Sequence, residues 1–348
     1  MNALKIYCVA LLFAACEVGA SGLVDPASPT NSGPKGAVLV FSDEFNGPTL
    51  SKEKWNVGIN QENTLHGRLD CSYSERNISF QDGKMVFTAR HHPDGVRGRL
   101  PEESRIYKYS SGAINSANKF YVRQNMYVEA RVKLPTNKGG YCIFSAMPNS
   151  AANAGFKDPT ERMEIRFFEY VASEDRRIFA SLLWFNDYLR SEIPSDLSES
   201  DYFRIADDHY VITALDRKAR WTGSTSPLPV LDWYEWYEWN DFVTVGFVAT
   251  PRQLDWFIVE DGPVLNSPPY MSFSGATVHS PAHKSRVNRE DGKEDVWRRD
   301  VPGDLENSLV LDFSLREADW AGGPILKEEL PSRMVIDYIR VYQLSETE

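Results

Sequence analysis

The 348 residues carry 49 acidic against 38 basic side chains, a formal net charge of −11, which leaves no basic footprint for nucleic acid or for an anionic lipid surface. A content of 42% hydrophobic and 25% charged residues excludes wholesale disorder and allows a sizeable core. The 9 Trp, 16 Tyr and 18 Phe exceed what packing requires, and such side chains suit a surface that meets a ligand with a flat apolar face.

Residues 1–20 read as a signal peptide: Lys5, an apolar stretch from Ile6 to Ala15, then Val18, Gly19 and Ala20 as a small-residue cleavage site. The apolar run is shorter than the ~20 residues of a spanning helix, so the mature chain is expected to be exported and free of the membrane. A second reading of "LFAAC" makes Cys16 the lipidated residue of a lipoprotein, periplasmic or lipid-anchored in a bacterium. Residues 21–36 form a Pro/Ser/Gly-rich leader, with order expected to begin near Ala37 and one domain to run over 37–345. Sandwiches of this class run to about 200–250 residues or more as one unit, and the chain is expected to be a monomer.

With Cys8 and Cys16 in the removable segment, Cys71 and Cys142 remain. Paired cysteines and two buried thiols both stand as readings. Asn77, Ile78 and Ser79 form a glycosylation sequon if the source is eukaryotic.

From Ala37 onward, short runs of Val, Ile, Phe and Tyr alternate with polar turn segments: "AVLVFSDEF", "KMVFTARH", "NMYVEARVKL", "RMEIRFFEY", "IFASLLWF", "FVTVGFVA", "LDWFIVED", "SLVLDFSL" and "MVIDYIRVYQ". In "YVEARVKL" the side chains of Val128, Ala130 and Val132 share one face, and Glu129, Arg131 and Lys133 the other. Many strands without intervening helices predict an all-β fold, a two-sheet sandwich or jelly roll. Residues 186–240 are the least regular and end in "DWYEWYEWN", either a substrate platform or a rim that packs on the sandwich. The mixed charges of residues 283–300 read as a solvated surface.

Within "ERMEIRFFEY", Glu164 and Glu169 stand five positions apart. On a plain strand that odd separation sends them to opposite faces. A β-bulge between them, with two residues opposing one on the neighbouring strand, returns both to one face. Two carboxylates in one cleft, roughly 5–5.5 Å apart, are what a retaining glycosidase requires.

The chain resembles glycoside hydrolase family 16 over about Ala37 to Gln343, on an ordered set of segments: "FSDEFNGPTLSKEKWNV", "NISFQDGKMVFTAR", "SSGAINSANKFYVRQNMYVEARVKLP", "DFVTVGFVATPRQLDWFIVEDG" and "MVIDYIRVYQ", with "EIRFFE" at the place of the signature Glu-x-Asp-x-x-Glu. The resemblance implies a concanavalin-like jelly roll of two antiparallel sheets with an open, concave substrate cleft, Glu164 as nucleophile and Glu169 as acid/base. Where the signature has its middle aspartate, this chain has Arg166. On a bulged strand Arg166 shares the face of Glu164, and a nearby cation favours ionised carboxylates, which suits a nucleophile and works against a general acid. Pointing away, pairing with Glu161, pairing with an anionic substrate group, and lost activity are all open readings of it.

Where the family shows an aromatic-rich strand, "GYCIFSAMP" puts Tyr141 and Ser145 at its tryptophan positions, and Leu183 stands where a histidine is common. Tyr141, Trp184 and Trp320 are the sugar-stacking candidates. Some members hold a structural Ca²⁺ at positions matching Glu44, Gly83 and Asp337; the chemistry itself needs no cofactor. The expected function is an exported retaining endo-glycosidase acting on a β-linked glucan or galactan. The alternatives are a polysaccharide-binding protein without turnover, akin to the glucan-recognition proteins, and a transglycosylase.

Overall fold

The computed structural model describes residues 22–29, 33–58, 70–97, 106–148, 163–172, 177–184, 210–215, 218–222, 241–259, 269, 271–273, 276–279, 296–299, 305–317 and 323–345. Its strands are β1 (Val38–Asp43), β2 (Asn56–Val57), β3 (Cys71–Tyr73), β4 (Ile78–Gln81), β5 (Lys84–Arg97), β6 (Ile106–Ser111), β7 (Ala113–Asn115), β8 (Tyr121–Val122), β9 (Met126–Lys133), β10 (Gly140–Pro148), β11 (Met163–Ala172), β12 (Arg177–Trp184), β13 (Tyr210–Leu215), β14 (Lys218–Thr222), β15 (Val243–Ala249), β16 (Leu254–Val259), β17 (Met271–Phe273), β18 (Ala276–His279), β19 (Val296–Arg299), β20 (Asn307–Leu315) and β21 (Ser332–Gln343). All nine apolar runs read from the sequence are strands. Two large sheets result, one in the order β17-β16-β15-β9-β21-β5-β6-β3 with β1 and β4 attached, the other β14-β13-β12-β11-β10-β20-β7-β2 with β8 attached.

Alternation places the core. On β9, Val128, Ala130 and Val132 are buried together with Phe247 of β15 and Ile339 and Val341 of β21; from the other sheet come Phe144, Ile165, Phe167 and Leu311. Burying these runs removes apolar area from water at about 25 cal/mol per Å², the term that holds the two layers together. The β4–β5 hairpin turns on Asp82 and Gly83, with φ of 50° and 68°. Both values lie in the left-handed region that a two-residue Asp-Gly turn is built for.

Two features depart from the sequence reading. Order does not wait for Ala37: the Leu23 carbonyl accepts from the Ser42 backbone N–H at 3.0 Å, the Asp25 carboxylate accepts from the Glu44 N–H at 3.1 Å, and the Ser28 hydroxyl donates to Glu44 at 2.6 Å. The small polar side chains of the leader satisfy groups on β1, which is why this stretch is fixed. The sequon is also closed, because Asn77 is 3% exposed and donates its side-chain N–H to the Thr88 carbonyl at 2.6 Å. Cys71 and Cys142 are free thiols in the core; burial pushes Cys71 up to about 12 and Cys142 well above its ordinary range. Residues 1–20, with Cys8 and Cys16, lie outside the described residues, as do Glu161, Trp320, the segment 232–240 and most of 283–300.

Candidate active site

The site is built on β11. Against β10, Phe168 pairs with Phe144 but Arg166 with Ser145, so Phe167 has no partner of its own. Against β12, Arg166 pairs with Ser181 and Glu169 with Phe179, leaving two residues of β11 opposite one. This is the bulge that the spacing of the glutamates demanded. Phe167 turns into the core, with its ring 4.8 Å from those of Phe144 and Phe247, while Glu164, Arg166 and Glu169 take the opposite, cleft-side face. The irregularity has a brace from the other sheet: Trp256 of β16 donates its indole N–H to the Arg166 carbonyl at 3.0 Å.

Arg166 does not point away. Its Nε donates to Glu164 Oε1 at 3.0 Å, and its Nη1 donates to Glu169 Oε2. One guanidinium reaches both carboxylates, so the two acids stand on a common face within the span of a single planar fork. Burial alone would draw the guanidinium down, but Glu164 and Glu169 hold it well above its ordinary value. The other oxygen of Glu169 accepts from the Tyr141 hydroxyl. Both oxygens of Glu169 therefore accept, where a general acid must donate. Glu164 and Glu169 are 3% and 2% exposed, so the centre of the site is closed rather than open to solvent.

Tyr141 is not a stacking platform here. It is 2% exposed, its hydroxyl is engaged by Glu169, and the Arg316 guanidinium lies 4.1 Å from its ring centroid. Geometrically it positions Glu169. Trp184 ends β12 opposite Met163, but its side chain lies outside the described residues. Sequence reasoning missed Trp256, which reads as one more core aromatic, and Asp312. Asp312 lies on the cleft-side face across from Ile143, the partner of Glu169, and accepts from the Tyr73 hydroxyl at 3.1 Å.

The residues matching a calcium site do not fit one. The Asp337 carboxylate is held by Arg131 at 2.5 Å and Lys84 at 3.4 Å. The two oxygens of Glu44 accept from Arg340 Nε at 2.8 Å and Nη2 at 2.7 Å. Gly83 sits in the neighbouring turn. A divalent cation takes hard oxygen donors, here the backbone oxygens of Glu44 and Gly83 with the carboxylate of Asp337, and two fixed cations already neutralise that carboxylate. Among the described residues no group of three His, Cys, Asp or Glu side chains is disposed to hold a metal.

No family model matches the chain. Glucan endo-1,3-beta-glucosidase A1 of Niallia circulans is 30% identical over 134 residues, 36% of this chain and 19% of that protein, so the match spans about a fifth of the relative. Among solved structures, an endo-beta-1,3-glucanase of Pyrococcus furiosus superposes with a TM-score of 0.56 at 21% identity, covering 89% of this chain and 96% of that one. The catalytic domain of an endo-1,3-beta-glucanase (laminarinase) of Thermotoga petrophila gives 0.55 at 19% identity, covering 89% and 99%. SCLam, a non-specific endo-beta-1,3(4)-glucanase from family GH16, gives 0.54 at 20% identity, covering 94% and 98%. The ordered resemblance in the sequence and these neighbours agree: the chain has the jelly-roll fold of the family 16 glycoside hydrolases.

Proposed function

We propose that this chain is an exported endo-hydrolase of a β-linked glucan that works by double displacement. The observation that carries the reading is the bulge in β11, which puts Glu164 and Glu169 on one face within reach of one guanidinium; glucanases among the structural neighbours support it. A carboxylate oxygen of Glu164 attacks the anomeric carbon while the glycosidic C–O bond breaks and Glu169 gives its proton to the leaving oxygen. Water then attacks the glycosyl ester, Glu169 takes its proton, and Glu164 leaves as carboxylate. For the first step Glu169 must exchange its accepted hydrogen bonds for a proton. Substrate binding has to draw Arg166 or Tyr141 off it.

The clamp itself favours a second reading, a glycan-binding protein that does not turn over. Reducing-end release from laminarin, lichenan and agarose separates the two. The expected result is release from a β-glucan by the parent chain, a loss of at least about 100-fold in Glu169→Gln, since a general acid–base group contributes about 10²–10⁴, and a loss in Glu164→Gln, which lacks the nucleophile. Saturable laminarin binding with no release by the parent chain establishes the second reading.

A further inference from the structure

Beyond the core, β5 leaves its register. Met85, Phe87 and Ala89 are fully buried, so alternation puts Arg90 and His92 on the outer face of the sheet, away from the core. His91 pairs with Tyr109 and Val96 with Tyr107, which leaves four residues of β5 opposite Lys108 alone. Bulges re-aim side chains, and this one brings His92 Nε2 within 2.7 Å of the Ser110 hydroxyl. On the other side stands the 3-10 turn Glu75–Asn77, capped by Ser74, whose hydroxyl accepts from the Arg76 N–H at 3.3 Å. Between these walls lies a cavity of about 420 Å³, floored by the buried Ser72 and Ser110 and rimmed by Arg76, Arg90 and Arg97.

The charge pattern is unusual for this molecule. Three arginines line one cavity in a chain of net charge −11. Among the described residues none of the three has a carboxylate partner, as is also true of Arg252 and Arg333, whereas Arg123, Arg131, Arg166 and Arg340 each have one. Like charges brought close together repel one another, and an anion between them relieves the repulsion. Arginine forks offer paired N–H donors matched to carboxylate, sulfate or phosphate oxygens. The volume falls within the roughly 300–1,000 Å³ of small-molecule sites.

We propose that this cavity, whose lining does not include Glu164, Arg166 or Glu169, is an oxyanion-binding site taking a sulfate ester, phosphate ester or carboxylate. Arg76, Arg90 and Arg97 hold the anion, with the Ser110 and Ser72 hydroxyls as the neutral floor. The inference does not depend on turnover at Glu164 and Glu169.

The test is calorimetric titration of the full chain with sodium sulfate, sodium phosphate, a sulfated galactan oligosaccharide and a neutral laminarin oligosaccharide. It is run beside Arg76→Ser/Arg90→Ser/Arg97→Ser and a control triple at exposed arginines elsewhere, Arg123→Ser/Arg252→Ser/Arg333→Ser. All six positions are on the surface, so both triples are expected to fold, as circular dichroism will check. The expected result is saturable binding of an oxyanion ligand that weakens at least about tenfold in the first triple and is kept in the control, since each lost charge-assisted contact is worth about that factor. Laminarin turnover stays unchanged in both. Tighter binding of the sulfated oligosaccharide than of the free anions names a saccharide as the carrier; equal binding names the free oxyanion. Equal losses in the two triples, or binding of an adventitious ion only at non-saturating concentrations, overturn the proposal.

Discussion

Arg166 is the residue on which the chemistry turns. It is 14% exposed on its side chain and is the shared donor for two nearly buried carboxylates, a geometry in which removing one member leaves the others uncompensated. Breaking such a buried arrangement from one side costs about 3–5 kcal/mol. Arg166→Gln is therefore expected to lower the urea midpoint at pH 7 with its m-value unchanged, while freeing a Glu169 oxygen and raising reducing-end release from laminarin above the parent's. A variant as stable as the parent contradicts the clamp. A second expectation concerns His92. Burial lowers its pKa, with help from the neighbouring His91 and Arg90. The unfolded chain takes up a proton near pH 6.5 that the folded chain resists, so stability is lost as pH falls through that point and kept above it. Thermal melts at pH 7.5 and 5.5 are expected to show a smaller fall in Tm for His92→Asn than for the parent.

At the scale of the element, β11 shows what was legible. The separation of Glu164 and Glu169 together with the strand-like run between them implied a bulge, because period-2 alternation admits no other way to join them on one face. The brace was not legible. Trp256 lies in an alternating apolar run 90 residues further on, and nothing local distinguishes a core tryptophan that only packs from one whose N–H reaches a displaced carbonyl. Nor was Tyr141 legible as a positioning group, because an aromatic at a cleft position reads as a platform until Arg316 is seen over its ring. Trp256→Phe keeps most of the apolar volume and the edge contact with Phe247, whose ring lies 5.1 Å away, but removes the donor. Leaving the buried carbonyl without it costs about 1–3 kcal/mol. The expected readouts are a lower denaturation midpoint and a lower kcat on laminarin, with Tm recovery by no metal or anion.

For the whole molecule, alternating strands and Gly/Asn/Pro turns pointed to two packed sheets, and the order of the segments pointed to the particular sandwich. What lay beyond sequence reasoning was the wiring of its outer face. Glu129 reads as a solvated strand residue, yet it is 6% exposed: it accepts from Tyr127 at 2.7 Å and lies 3.5 Å from Arg340, which in turn holds Glu44. Burial raises its pKa. The same outer face carries Asp337 between Arg131 and Lys84, so side-chain cations stand where a structural calcium was expected. These pairings join residues up to 296 positions apart, and no spacing along the chain announces them. Neither a chelator nor added calcium is expected to move the Tm; a rise with calcium that a chelator reverses contradicts the assignment of Asp337 to Arg131.

Phe167 has a meaning beyond its packing. Counted in twos along β11, the two acids have unlike parity, and the supernumerary phenylalanine converts one count into the other. A strand lengthened by one more position, with the same bulge, would keep every acidic side chain and sink Glu169 among the apolar ones. Competence at this cleft is thus written partly in a tally of residues, and a comparison by residue type alone would not register its loss.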